Sequence, residues 1–313
     1  MKIAVLGTGF MGRKHKANIQ TVPDAEIVAE IDAVDRNAHF RSLEDFLNVK
    51  KYCDLVIVAT PNHLHFPHAL KLLENGYNVL VEKPFCFNLK EADILEEASR
   101  KSGKKVFLVI QNRFSPASVF LKNLIDSRKL GRLYNLQFNA FWNRGRNYYS
   151  GDSWKGKKSL DGGILYTQFS HLLDLLCHIF DEELNVKYRD FESFRNFEIA
   201  EIEDTAIAIL ESTSGTRILL DFTTAVYEKN QETSLNIIAE KGTIKISGQY
   251  FNEVTYQNIE GCTDRLEIPS ASNEDNLKRM YKQIFLNLEQ KPNQAVLLEQ
   301  GRPLIALLEK IYS

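Results

Sequence analysis

Apolar residues fall into two rhythms along this chain. In the first third, short unbroken apolar runs alternate with stretches of helical spacing; past residue 130, apolar positions alternate singly with polar ones. The strand-like segments are 3–6, 26–32, 53–59, 78–81 and 106–110, built around apolar stretches such as Ile3–Leu6 and Leu55–Ala59. Between them the pattern predicts helices over 13–20, from Ser42 to about 49, over 63–74 and from Asn88 to about 101. Asn75-Gly76 and Gly103 supply helix ends, and Asn88 with Glu91 supplies an N-terminal cap. The connection over 33–41 is short and polar, so the second crossover helix reads as trimmed. Fully apolar strands separated by helices imply a parallel sheet covered on both faces.

Ser115-Pro116 starts a further helix, expected to run to about 130 and stop at Gly131. Segments 133–142, 205–210, 216–223, 234–239 and 243–246 then alternate with period two, the mark of an antiparallel sheet with one open face. Helices are expected over 273–288 and 297–312. The predicted class is α/β: a doubly wound Rossmann domain over 1–115, then an α+β domain over 116–313 with a large, open, mostly antiparallel sheet. That open face is where the domain would pair with a copy of itself.

The first run leads into Gly7-Thr8-Gly9-Phe10-Met11-Gly12 and a helix. Strand, G-x-G-x-x-G and helix in that order form a dinucleotide-binding turn, with the pyrophosphate at the helix N-terminus. Gly7 allows the tight turn, Gly9 lets backbone approach phosphate, and Gly12 lets the helix pack close. Asp32 ends the second strand about 20 residues on, where an acid binds the adenosine ribose. A carboxylate there repels a 2′-phosphate, so NAD is expected rather than NADP. The competing reading is a plain glycine turn with a surface acid.

In such a sheet ligands sit beyond the carboxyl ends of the strands. Thr60, Pro61, Asn62, Glu82, Lys83, Pro84, Gln111, Asn112 and Arg113 all fall at those ends. Read as one helix, 164–180 puts Leu165, Phe169, Leu172, Leu173, Leu176, Ile179 and Phe180 on one side. Thr167, Gln168, His171, Asp174 and His178 share the other, with no Lys, Arg or Glu among them, so that stripe is expected to line a cleft rather than face solvent. Oxidising an alcohol requires a base for the hydroxyl proton, and histidine, with an ordinary pKa near 6.5, serves at neutral pH. A lysine beside the oxygen stabilises its developing negative charge. His171 and Lys83 are the expected pair. His63, His65 and His68 cluster after Asn62, but no nearby carboxylate or cysteine completes a tetrahedral set, so no metal is expected; Asn62 and His65 are expected to shape the nicotinamide end.

Over 144–158 lie Arg144, Arg146, Lys155, Lys157 and Lys158 with Tyr148, Tyr149 and Trp154, and Asp152 is the one acid before Lys158. Fixed cations suit phosphates or a carboxylate, and rings suit a base or a sugar face; a solvated basic loop is the alternative. Arg113, Arg144 and Arg146 could hold a sugar carboxylate, although a diphosphate would use the same cations. The formal net charge of −2 points away from nucleic acid and anionic membranes. No apolar run approaches the ~20 residues of a membrane helix, and Met1-Lys2 leads straight into a strand without a signal peptide pattern. Cys53, Cys86, Cys177 and Cys262 are far apart and read as buried free thiols of a reducing, cytoplasmic compartment.

Taken together, the Gly7–Gly12 turn, Thr60-Pro61-Asn62 with His65, Glu82-Lys83-Pro84, and Asp161-Gly162-Gly163 leading to His171 and Asp174 resemble the Gfo/Idh/MocA oxidoreductase family. Arg144-Gly145-Arg146-Asn147-Tyr148-Tyr149 followed by Trp154-Lys155-Gly156 is similar to its WlbA/WbpB-type branch, which oxidises the 3-hydroxyl of UDP-N-acetylglucosamine or its uronic acid for surface polysaccharide synthesis. The resemblance implies NAD as cofactor and a homodimer or homotetramer. It puts Lys83 and His171 at the reacting hydroxyl with Gln168 beside them, the cofactor on Gly7, Gly9, Phe10, Met11, Gly12, Asp32, Thr60, Pro61, Asn62, His65, Glu82, Lys83 and Gln111, and the UDP-sugar on Arg113, Arg144, Tyr148, Tyr149, Trp154, Lys155 and Asp174. Some relatives reoxidise tightly held cofactor with 2-oxoglutarate. Three departures stand out: Thr167 replaces the Asp or Asn that many relatives carry four residues before the histidine, Ile164 replaces a third glycine, and the second crossover is short. The alternatives are a family oxidoreductase for a free sugar, inositol or another sugar nucleotide, a cofactor-binding sensor, and a metal hydrolase.

Overall fold

The computed structural model describes residues 1–150, 154–195, 200–249, 251–262, 269 and 271–313. They form two compact units, 1–110 with 277–305 and 111–276 with 306–313.

The first unit is a five-stranded parallel sheet. In chain order it contains β1 (Lys2–Leu6), α1 (Phe10–Ile19), β2 (Glu26–Ile31), α2 (Leu43–Val49), β3 (Leu55–Val58), α3 (His65–Glu74), β4 (Val79–Val81), α4 (Leu89–Ser102) and β5 (Val106–Leu108). The strand order is β2-β1-β3-β4-β5. Consecutive crossovers leave β1 in opposite directions, so its carboxyl end, beside that of β3, is the switch point where such sheets bind ligands. Burial on both faces explains the unbroken apolar runs: every residue of β3, β4 and β5 is buried. The caps follow the sequence: Ser42 accepts from the Asp45 N–H, Asn88 accepts from the Glu91 N–H, and Gly103 closes α4 at φ 65°. Leu108 N–H donates to Val296 O, and Gly301 packs on Leu108 and Phe85, so 277–305 belongs to this core.

The second unit contains α5 (Pro116–Asp126), β6 (Leu133–Phe141), α6 (Arg146–Tyr149), α7 (Lys158–Asp161), α8 (Ile164–Thr167), α9 (Ser170–Ile179), β7 (Leu184–Glu192), β8 (Thr205–Ser212), β9 (Arg217–Thr223), β10 (Glu232–Ala239), β11 (Gly242–Ser247) and β12 (Glu253–Ile259). The helices α10 (Asn273–Leu288) and α11 (Leu298–Tyr312) follow in the chain. The sheet order is β12-β11-β10-β6-β9-β8-β7, antiparallel throughout except for parallel β6 and β9. Alternate residues of β6, β8 and β9 are buried. The other face carries Tyr188, Ile207, Leu219, Ile238 and Tyr256, all exposed, among polar neighbours such as Gln137 and Asn139.

Three expectations need correction. Strands β7 and β12 were not anticipated. Segment 164–180 is not one helix, because it breaks at Gln168 and Phe169, where the Phe169 N–H reaches back five residues to Ile164 O. The break turns the Phe169 ring into the core, 4.9 Å from both Trp142 and Phe222. The helix from Ser115 ends at Asp126, four residues short.

Candidate functional site

The glycine turn is built from steric necessity. Gly7 sits at φ 93°, and a Cβ there would lie 2.6 Å from the Ala59 carbonyl oxygen of the neighbouring strand end. A Cβ on Gly12 would overlap the Gly7 carbonyl and lie 3.5 Å from Val5 Cγ1. Gly12 is therefore required first by the turn and only then by helix-to-sheet packing. Gly9 differs: a Cβ there would meet no protein atom within 4 Å. The open space lies at the N-terminus of α1, whose first turn carries no acid. The N–H groups of a helix start and a positive dipole end, with no acid in that first turn, fit a pyrophosphate.

Asp32 follows β2. Its Oδ2 accepts from the Thr8 N–H at 2.8 Å, and its Oδ1 accepts from the Val34 and Asp35 N–H groups at 2.8 and 2.9 Å. Partial burial pushes its carboxyl up, but these hydrogen bonds outweigh that and hold it below the usual carboxylate range. The carboxylate is thus fixed, ionised at neutral pH, and retains acceptor capacity for ribose hydroxyls.

Thr60 and Pro61 follow β3, and Glu82, Lys83 and Pro84 follow β4, with Lys83-Pro84 a cis peptide. His65, 1% exposed, lies between the two turns. Its Nδ1 is 2.8 Å from Pro84 O and its Nε2 is 2.7 Å from Thr60 O. Burial lowers its pKa, and a neutral imidazole carries one N–H, so it bonds one carbonyl at a time. His68 Nδ1 is 3.1 Å from the Thr60 hydroxyl. Glu82 is 4% exposed. Its Oε1 faces His15 Nε2 at 2.9 Å, and its Oε2 accepts from the Lys83 N–H at 3.2 Å. His15 Nδ1 is hydrogen-bonded to the Tyr281 hydroxyl. The sequence did not single out His15 or Tyr281. The available signal was a histidine three residues past Gly12, on the helix face that must meet the sheet.

In the second unit, Arg144 Nε donates to Gln168 Oε1 at 2.6 Å, and Gln168 Nε2 donates to the Tyr148 hydroxyl at 2.7 Å. The Arg144 guanidinium lies 5.2 Å from the Trp142 ring centre, and Lys155 Nζ lies 4.2 Å from that of Tyr148. Burial and then Arg144 lower the Lys155 pKa against the pull of Asp161. Asp161 is fully buried and accepts from the Gly156 N–H at 2.7 Å and from the Thr167 hydroxyl. Thr167 therefore stands beside the carboxylate of Asp161, six residues earlier in the chain. The fold brings Arg144, Tyr148, Lys155 and Gln168 into one cluster. Tyr149 is buried and its hydroxyl pushed up to about 12, chiefly by burial. Trp154 and His171 are half-buried, the latter in the first turn of α9. Asp152 lies outside the described residues.

Arg113 and Asp174 meet each other. Arg113 Nε and Nη2 donate to Asp174 Oδ2 and Oδ1 at 2.8 and 2.6 Å, with both residues buried. Their geometry is that of a bidentate pair anchoring α9 to the segment before α5. Gln111 Nε2 donates to Asn273 Oδ1 at 3.1 Å. Among the described residues, no group of three or more His, Cys, Asp or Glu is placed to hold a metal ion, and no helix is long and apolar enough to cross a membrane. All four cysteines are free; Cys53 and Cys86 are buried, whereas Cys177 and Cys262 keep some surface exposure, contrary to expectation, although the Cys177 thiol itself is desolvated. Desolvation pushes the Cys53 and Cys177 thiols up to about 12, which leaves them poor nucleophiles.

The depressed histidines carry a stability signature. Burial pushes His68 and His178 from 6.5 down to about 4. The unfolded chain then binds more protons in that interval, so stability is full above about pH 6.5 and is lost as pH falls toward 4. Thermal unfolding should show a midpoint that drops between about pH 6.5 and 5.5, where most carboxylates remain ionised. His68→Gln with His178→Gln should flatten that drop, and an equal slope in this variant would contradict the assignment.

Residues 1–110 match the profile of an oxidoreductase family with an NAD-binding Rossmann fold, Gfo/Idh/MocA, and residues 119–245 match the profile of its C-terminal domain. The WlbA dehydrogenase of Bordetella pertussis, solved with NADH and UDP-GlcNAcA, aligns with a TM-score of 0.88 at 26% identity, over 100% of this chain and 95% of that one. The Chromobacterium violaceum WlbA dehydrogenase, solved with the same two ligands, aligns with a TM-score of 0.87 at 25% identity, over 100% and 92%. A protein of Amycolatopsis mediterranei named as a UDP-kanosamine synthase oxidoreductase subunit is 25% identical, over 100% of this chain and 95% of its own length.

Proposed function

The chain belongs to the Gfo/Idh/MocA oxidoreductases, an NAD-binding dehydrogenase family, and on that premise we propose that it oxidises the 3-hydroxyl of a UDP-N-acetyl-hexosamine or its uronic acid. The observation that carries the substrate class is the Arg144, Tyr148, Lys155 and Gln168 cluster, which sets two cations against aromatic faces on a chain of near-neutral net charge. Likeness to two WlbA dehydrogenases solved with UDP-GlcNAcA supports the same reading.

Bound NAD supplies the hydride acceptor. Gly9 and the N-terminus of α1 would hold its pyrophosphate, Asp32 would hold its adenosine ribose, and the Thr60 and Lys83 turns would border its nicotinamide end. His171 takes the proton from the sugar hydroxyl as general base. The Lys83 ammonium stabilises negative charge on that oxygen as it becomes a carbonyl. Gln168 orients Arg144 and Tyr148, and Arg144 with Lys155 receives the diphosphate or a sugar carboxylate. Trp154 and Tyr149 complete the aromatic surroundings of the sugar nucleotide. Arg113 and Asp174 fix the frame on which His171 stands. We assign cofactor binding to 1–115 and substrate binding to 116–313. The protein is read as a cytoplasmic homodimer or homotetramer, paired through the open sheet face and serving surface polysaccharide synthesis.

Calorimetric titration with UDP tests the substrate class. UDP should bind the NAD-loaded protein, and Arg144→Met with Lys155→Met should weaken binding by about 10²-fold, as expected for loss of two charge-assisted contacts. A protein that binds NAD without affinity for UDP would instead favour an oxidoreductase of a free sugar, inositol or another sugar nucleotide.

A further inference from the structure

A buried hydrogen-bond chain runs beneath the Lys83 turn, and all of its members lie in the first unit. Tyr281 and His15 are each fully buried and Glu82 nearly so. The Tyr281 phenol is raised well above its ordinary value, first by burial and then by the Glu82 charge, so it stays protonated. With that phenol donating to His15 Nδ1, the imidazole proton stands on Nε2 and is donated to Glu82 Oε1. The other oxygen of Glu82 accepts the Lys83 N–H at 3.2 Å. Pro84, the next residue, has no N–H to offer in its place.

We propose that His15, carried on the helix that follows the dinucleotide turn, is a positioning residue for Lys83, acting through Glu82 and held in its tautomer by Tyr281. The proposal rests on the reading of Lys83 as the charge-stabilising residue. Lys83 occupies a short turn after a three-residue strand, with no regular structure of its own to fix it. Glu82 supplies the fixing contact, and a carboxylate in low dielectric stays in one orientation only if its partners hold it. His15 is such a partner, and it is three residues past Gly12 on α1. Placement of Lys83 and placement of the cofactor helix thereby share one rigid chain of hydrogen bonds, as a productive geometry requires.

Amide hydrogen exchange followed by NMR on the full chain tests this without any substrate. Glutamine places an N–H where Nε2–H stands, whereas asparagine reaches only the position of Nδ1. In His15→Asn the Lys83 amide should exchange about tenfold faster than in wild type, as for a lost hydrogen bond, with β3 and β4 amides unchanged. In His15→Gln it should return to near the wild-type rate. Turnover should follow, with kcat down about tenfold or more in His15→Asn, KM for NAD little changed, and rescue in His15→Gln. Should His15→Asn fail to fold, Tyr281→Phe carries the test, with exchange about threefold faster. A Lys83 amide as slow in His15→Asn or Tyr281→Phe as in wild type would overturn the proposal, as would an unchanged kcat in His15→Asn or an equal acceleration across the whole sheet. A wild-type protein inert toward UDP-sugars would sink the substrate reading instead, and the exchange result alone would then decide this one.

Discussion

His171→Asn is expected to slow the first turnover of UDP-N-acetylglucosaminuronate by about 10²–10⁴-fold, the usual contribution of a general base. Asparagine keeps a polar group of similar reach in the first turn of α9 but cannot accept a proton. NAD and UDP affinities should hold, because the diphosphate cluster and the glycine turn do not involve His171. Lys83→Met should slow the same step by about 10²–10³-fold, through lost stabilisation of the oxygen rather than lost proton transfer. The two variants should therefore differ in pH dependence. With His171 gone, the acid limb of the rate profile should vanish, whereas Lys83→Met should keep it. Rapid-mixing absorbance of NADH across pH checks both. Retention of more than about a tenth of the rate in His171→Asn would remove the histidine from the chemistry.

The second large effect concerns the glycines, which the geometry divides into two kinds. Gly12→Ala should destabilise the first unit by about 3 kcal/mol, the upper end of overpacking costs, and abolish NAD binding. The added methyl would overlap the Gly7 carbonyl, and the conflict is with backbone, which cannot rotate away. Gly9→Ala should leave the unfolding midpoint unchanged, since its methyl meets no protein atom within 4 Å. It should nevertheless weaken NAD binding about tenfold or more, because the methyl occupies the approach path of the pyrophosphate. Thermal unfolding with and without NAD separates the cases: Gly12→Ala loses stability in both, Gly9→Ala only the increment that NAD adds. Equal behaviour of the two would contradict the division.

The first unit was legible because its signals are local and redundant. An apolar run, glycines at fixed spacing, a helix and a terminal acid each constrain the next, and Asn88, Gly103 and Ser42 mark helix ends with their own side chains or dihedrals. The second unit was legible only in its interior. Strands β7 and β12 escaped because they are the two edges of the sheet, where polar and charged residues such as Lys187, Arg189, Asp190 and Gln257 protect open backbone and erase the alternation. The break at Phe169 escaped because a helical wheel assumes an unbroken helix, whereas packing of that ring on Trp142 and Phe222 sets the local path. The ends of strands identified Lys83, but not what holds it: His15 and Tyr281 are 266 residues apart, and nothing near either one in sequence announces the other. For the same reason the pairing of Arg113 with Asp174, 61 residues apart, could not be read from the sequence.

The carbon that is oxidised defines the reaction. Wild-type protein loaded with NAD and mixed with UDP-N-acetylglucosaminuronate in a single turnover, then trapped with borodeuteride, gives the most direct answer. Deuterium at carbon 3 of the sugar, with NADH formed in equal amount, is the predicted result. No deuterium on the sugar, or deuterium at another carbon, from protein that binds both NAD and UDP, would contradict it.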